Sequence, residues 1–256
     1  MAEEAKKEKT KKKSDEREMN FLDHLGEFRM RIIWSLVALI VASIGVGVLV
    51  FEYNLIDIIL LNLATQSGLD LQNLKPFGQP FLFFKVTIVG GLIISFPFML
   101  YQLWKFIAPG LYDKEKGWVR TITFFTTLCF LIGVAFAYFV MIPSMLSFAA
   151  GFGSDKIKNI IDINEYFSFL TTLILAAGLL FELPMVSFVL ARVGILTPQM
   201  MRKYRRHGIV VILILAAILT PTPDPVSQMI FASPLFILYE LSIFIAKIGE
   251  KKYKEA

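Results

Sequence analysis

Four ionisable side chains, Lys85, Glu182, Asp224 and Glu240, fall within or at the ends of long apolar stretches. An acid at the centre of a membrane helix costs about 2.5 to 3.5 kcal/mol on insertion scales, so it faces protein or a wet cavity. Glu182 stands out, because the sequence is free of charge from Tyr166 to Phe181 before it and from Leu183 to Ala191 after it. Two readings of it stay open: a structural acid hydrogen-bonded to a neighbouring helix, or a functional group such as a proton or ion site. Asp224 sits in Thr220-Pro221-Thr222-Pro223-Asp224-Pro225, where prolines break helix continuity and the side chain can reach water, as a turn residue does. Lys85 lies near the end of its apolar stretch and can snorkel to the headgroups. Glu240, shortly before Lys247, suits an interfacial position.

A second set of carboxylates lies among basic residues: Glu27 in His24-Leu25-Gly26-Glu27-Phe28-Arg29-Met30-Arg31, and Glu115 in Leu111-Tyr112-Asp113-Lys114-Glu115-Lys116. By themselves these are ordinary interfacial charges, whose salt bridges are worth about 0 to 1 kcal/mol. Other chemistry is excluded more firmly. One cysteine, Cys129, permits neither an internal disulfide nor a Cys-based metal site, and His24 and His207 do not make a two-histidine zinc motif. There is no Walker A loop and no dinucleotide fingerprint, and no recognisable nucleophile and base occur together, so neither a cofactor nor an enzymatic activity is expected.

The elements that must position these residues are membrane helices. The 256 residues have a mean hydropathy of +0.64, with 56% hydrophobic and only 18% charged residues. Ile32 to Phe51 carries no charge over 20 residues, Val86 to Trp104 none over 19 and Thr121 to Ser154 none over 34, against the roughly 20 that a helix needs to cross a bilayer. Residues 1–19, a mixed run of Lys, Arg, Glu and Asp with no apolar face, read as a disordered tail. Residues 20–247 divide at charges and prolines into six spans, about 30–51, 83–105, 118–142, 166–190, 207–222 and 226–246, followed by a basic tail, 248–256. The expected fold is an all-α, six-span polytopic bundle. Lys and Arg fix its orientation: residues 1–31 hold nine, 103–120 four, 191–206 five and 247–256 four, so 22 of 26 lie on one side. By the positive-inside rule, both termini are cytoplasmic. Orientation and contact with anionic membrane lipids account for this basic excess, and nucleic-acid binding does not.

The last two spans are short. Only 17 uncharged residues separate Arg206 from Asp224, and 15 separate Asp224 from Glu240. At 1.5 Å per residue, 17 residues cover about 25 Å, less than the core of about 30 Å, so this hairpin is a place where the bilayer thins. Pro97, Pro184 and Pro234 kink the second, fourth and sixth spans and Pro143 ends the third, which predicts a bent, concave bundle. No pair of spans repeats another. A small ion-coupled secondary transporter using Glu182 and Asp224 remains the alternative, although six spans, no repeat and few buried charges speak against it.

Five motifs, in order, carry a family resemblance. Asn20 to Arg31 resembles the His-Leu-x-Glu-Leu-Arg-x-Arg opening of TatC, the multi-spanning receptor of the twin-arginine protein translocase. Tyr101 to Tyr112, followed by Glu115, is similar to that family's first cytoplasmic loop. Phe136 to Phe139 with Pro143, Phe181 to Pro184, and Leu219 to Pro225 with Ser227 and Gln228 resemble its later helix signatures. The likeness spans about residues 20 to 247, and Phe28 departs from the usual leucine. It implies a protein of the bacterial inner membrane that binds signal peptides with paired arginines and passes folded proteins across the membrane on the proton-motive force. It also implies work with single-span TatA/TatB-type partners and self-association in the translocase. In the family the two motif glutamates form the twin-arginine site; they fall on Glu27 and Glu115, with Arg29 and Phe106 beside them. A guanidinium is permanently charged and presents a planar fork that carboxylates match and lysine cannot copy. The resemblance makes Glu182, Asp224 and Gln228 candidates for contact with partner helices.

Overall fold

A computed structural model describes residues 2–107, 118–151, 160–219 and 225–255, with side chains for 25–106, 120–151, 160–219 and 225–250. The chain opens with one helix, α1 (Ala2–Tyr53), of 52 residues. At 1.5 Å per residue it runs about 78 Å, more than twice the thickness of the hydrocarbon core. The charged segment 1–19 is therefore helical from Ala2 onward, where its composition suggested no order. Ala, Glu and Lys are strong helix formers, and Glu3 with Lys7 and Glu8 with Lys12 stand four apart.

Asn54, at φ +48, turns the chain out of α1. A π-helical turn (Ile56–Leu61) and α2 (Asn62–Gln66) follow, and the strand β1 (Asp70–Gln72) leads to α3 (Gly78–Ile107). The third span is α4 (Trp118–Phe136), a π-helical turn (Ala137–Met141) and α5 (Ile142–Gly151) without interruption. Pro143 does not end this span, as its type suggested. It lies in the first turn of α5, directly after the wider π turn, where a missing N–H removes little from the ladder.

The strand β2 (Ile160–Asp162) precedes α6 (Ile163–Leu180). A turn at Phe181 and Glu182 separates α6 from α7 (Leu183–Arg192), with Pro184 in the first turn of α7. A short α8 (Pro198–Lys203) leads to α9 (Arg205–Leu219), and α10 (Pro225–Glu255) closes the chain. Five of these segments are long and apolar enough to cross a membrane: Leu25–Tyr53, Gly78–Phe106, Arg120–Gly151, Ile163–Arg192 and Pro225–Glu250. The fifth span of the sequence reading is α9, whose 15 residues cover about 22 Å. The sixth is not short as a helix. Its charge-free stretch is 15 residues, but α10 runs to 31 because it carries Glu240 and the terminal lysines within the helix.

In the bundle α1 lies along α3, α3 against α4, α4 against α6, α7 against α10 and α10 against α9. Glycines set the closest approaches. A Cβ on Gly91 of α3 would lie 2.6 Å from the Ser43 Cα of α1, and one on Gly133 of α4 would lie 2.7 Å from the Ala177 carbonyl oxygen of α6. Small residues let membrane helices touch closely, and there packing takes over from the hydrophobic effect as the source of cohesion. The fourth span is central, with 44% of its apolar window buried against 6% for the first. Leu170, Leu173 and Ala177 of α6 pack there with Met141, Ile142, Ala216, Phe231 and Leu235.

The two strands, unforeseen from the sequence, form a parallel pair of Asp70 with Ile160 through Gln72 with Asp162. Asp162 locks this cap. Its carboxylate accepts the backbone N–H groups of Asn164 (3.0 Å) and Glu165 (3.3 Å) at the start of α6, and that of Leu74 (3.1 Å) from the loop before α3.

Candidate functional site

The middle of α1, just after Glu27, and the end of α3 that carries Phe106 enclose an open groove of about 340 Å³. Phe28, Ile32 and Leu36, one helical turn apart on α1, face Phe96, Leu103 and Phe106 of α3 across it. The Phe28 and Phe106 rings meet with centroids 5.0 Å apart. Among the described residues, Arg31 is the one charged member of the lining. Its Nη2 pairs with the Glu27 carboxylate one turn earlier, its Nε donates to the same Oε1 at 3.2 Å, and its Nη1 reaches Gln102 Oε1 at 3.4 Å. Glu27, half-buried, thus stands at the rim of an apolar trough with one guanidinium already on it.

Of the residues expected here, Glu27 and Phe106 come together around this groove. Arg29 is exposed and does not line it. Glu115 lies outside the described residues, and so does Asp224. Phe28, Arg31 and Gln102 join the site, although only Glu27, Glu115, Arg29 and Phe106 were singled out. The spacing of Arg31 four residues after Glu27 was a usable signal, whereas Gln102, 71 residues away, is brought in by the α1–α3 contact alone.

Glu182 is 7% exposed and its Oε1 is buried without a hydrogen-bond partner among the described residues. It sits where α6 breaks: the Glu182 N–H donates to the Leu179 carbonyl at 3.1 Å, and Pro184 supplies no donor to continue the ladder. Gln228 belongs to another contact, its Nε2 donating to the Leu213 carbonyl of α9 at 3.0 Å. No hydrogen bond joins Glu182 to Gln228. The other ionisable residues behave as interfacial groups. Lys85 is exposed and reaches Ser168 Oγ at 3.2 Å, and Glu240 pairs with Arg205, both about half exposed.

Comparison with known proteins supplies the family. Residues 23–234 match the family described as Sec-independent protein translocase protein (TatC). The chain belongs to the TatC family. Its relatives include the TatC of Koribacter versatilis, 40% identical over 239 residues that cover 91% of this chain and 87% of that one. The TatC of Aquifex aeolicus is 34% identical over 239 residues, covering 93% and 98%. A crystal structure of the twin arginine translocase receptor TatC superposes with a TM-score of 0.76 at 34% identity, covering 88% of this chain and 99% of that one.

The stretch matched to TatC takes in Glu27, Phe106, Glu115, Glu182, Asp224 and Gln228. Residues 2–22, which form the first part of α1, lie before it. The matched stretch thus begins within α1 and ends within α10.

Proposed function

We propose that this TatC protein is the signal-peptide receptor and core of a twin-arginine translocase in the bacterial inner membrane, with both termini cytoplasmic. The observation that carries the reading is the joining of an arginine-binding carboxylate to an apolar trough. Glu27 already holds the guanidinium of Arg31 beside a groove walled by Phe28 and Phe106. A signal peptide with paired arginines followed by an apolar segment has both parts in the matching order. Glu27 and Glu115 take the arginines, with Arg29 beside them, and the groove between α1 and α3 receives the apolar residues. The positive-inside rule puts these groups on the side from which a precursor arrives.

Single-span TatA/TatB-type partners then gather along the fourth and last spans, where Glu182, Asp224 and Gln228 supply polar contacts. The proton-motive force drives transport, and the protein self-associates in the translocase. Membership of the TatC family takes the place of the ion-coupled transporter, which rested on Glu182 and Asp224 as ion sites. It also makes this a translocase component and not an enzyme.

Titration of a fluorescent twin-arginine peptide against the purified protein tests the reading. Wild type should prefer arginine to lysine, and Glu115→Ala should lose affinity and that preference. If Glu115→Ala binds as tightly and discriminates as well, the recognition site is wrong.

A further inference from the structure

We propose that the corner between α8 and the start of α9 is a binding site for the headgroup of an anionic phospholipid, held by Arg202, Lys203 and Arg206. Residues 202–207, Arg-Lys-Tyr-Arg-Arg-His, are all exposed. Among the described residues, Arg205 is the one of them with a carboxylate partner, Glu240 of α10. The other three cations have no ion-pair partner among the described residues, and Lys203 Nζ merely lies 5.8 Å from the Tyr204 ring centroid. The first turn of α9 holds no acid, so these charges add to the positive end of the helix dipole and leave an external anion favoured there.

The corner is a built surface. Thr197 Oγ1 accepts the Met200 N–H at 3.2 Å and caps α8. The Met201 side chain is buried with Ala191, Ile243 and Ala246, and its carbonyl accepts the Tyr239 hydroxyl at 2.9 Å. The cations are therefore presented from a fixed backbone, which lowers the entropy lost on binding.

Two observations favour a lipid over a free anion. Ile195, Met200 and Tyr204 are 65%, 44% and 51% exposed on the same segment, an apolar flank that suits acyl chains and has no use for inorganic phosphate. The short α9, about 22 Å long, draws the headgroup plane in toward its ends. Attraction of polybasic segments to an anionic leaflet is worth about fivefold in affinity per basic residue, so three together make a distinct site.

The test uses the full chain in neutral detergent, titrated with fluorescent phosphatidylglycerol and, in parallel, phosphatidylcholine. The R202Q/K203Q/R206Q variant should bind phosphatidylglycerol at least about tenfold more weakly. K11Q/K12Q/K13Q, which removes equal charge elsewhere, should lose less than about twofold. Glu240→Gln, which frees Arg205, should bind about twofold to fivefold more tightly, a gain that a misfolded protein cannot give. Equal losses in the two triple variants, or no gain in Glu240→Gln, would show general charge attraction and overturn the site. Displacement of the lipid by millimolar phosphate, or equal binding of phosphatidylcholine, overturns the lipid assignment in the same way.

Discussion

At Glu27 two guanidinium groups must compete. Arg31 holds the carboxylate in the absence of peptide and has a second hydrogen bond, to Gln102, that can retain it once displaced. Glu27→Gln should therefore weaken twin-arginine peptide binding by about 1.5 to 3 kcal/mol, the range for a hydrogen bond to a charged group. Arg31→Gln should act the other way and tighten binding, because it removes the internal competitor. Isothermal titration of both variants decides this, and a loss in Arg31→Gln as large as that in Glu27→Gln would mean that Arg31 orients the site. Glu182 makes a different prediction, since its buried Oε1 has no partner among the described residues. Glu182→Gln should leave peptide affinity unchanged and reduce copurification of single-span partners in mild detergent. The Glu27, Phe106 and Glu182 positions were all legible as residue types in context. Arg31 as the occupant of Glu27 had a usable signal in its i,i+4 spacing, whereas Gln102, 71 residues away, had none.

The helices confer the site's precision through contacts that leave no room. A side chain at Gly91 would place its Cβ 2.6 Å from the Ser43 Cα and 2.7 Å from its nitrogen, both backbone atoms that cannot swing aside. Gly91→Val should push α1 off α3, cost about 1 to 3 kcal/mol and loosen the groove, lowering both the unfolding temperature in detergent and peptide affinity. Gly45→Ala, with nothing within 4 Å of its Cβ, should change neither. Six apolar segments were readable from hydropathy, but the first helix starts far before its apolar part, at Ala2, and the fourth segment is two helices joined by a turn at Phe181 and Glu182. The third was misread at its end, because the π turn directly before Pro143 lets the helix continue through it, and that turn has no sequence marker. Pro97 and Pro234 do lie inside α3 and α10.

Across the whole molecule, the β1–β2 cap ties the loop before α3 to the start of α6, far from the groove in sequence. Three backbone N–H groups, with Lys75 nearby, hold the Asp162 carboxyl below the usual carboxylate range despite its burial. A lowered folded-state value means stabilisation that is present above the unfolded value of about 4 and is lost as the pH falls below it. Proteolysis between residues 67 and 77 should accordingly accelerate below about pH 4 in wild type, while Asp162→Asn should be susceptible already at pH 7 and insensitive to that acid step. Charge-free length, basic clusters and five ordered motifs determined by themselves that this is a six-segment membrane protein of the TatC family type, because the bilayer imposes its thickness and its charge asymmetry on sequence directly. Tertiary structure alone decided that Phe28, Arg31, Gln102 and Phe106 share one groove, that Asp162 joins two distant loops, and that Glu182 and Gln228 belong to separate contacts. Those are pairings between side chains far apart in the chain, and a pairing depends on which helix faces meet, a relation that hydropathy does not encode.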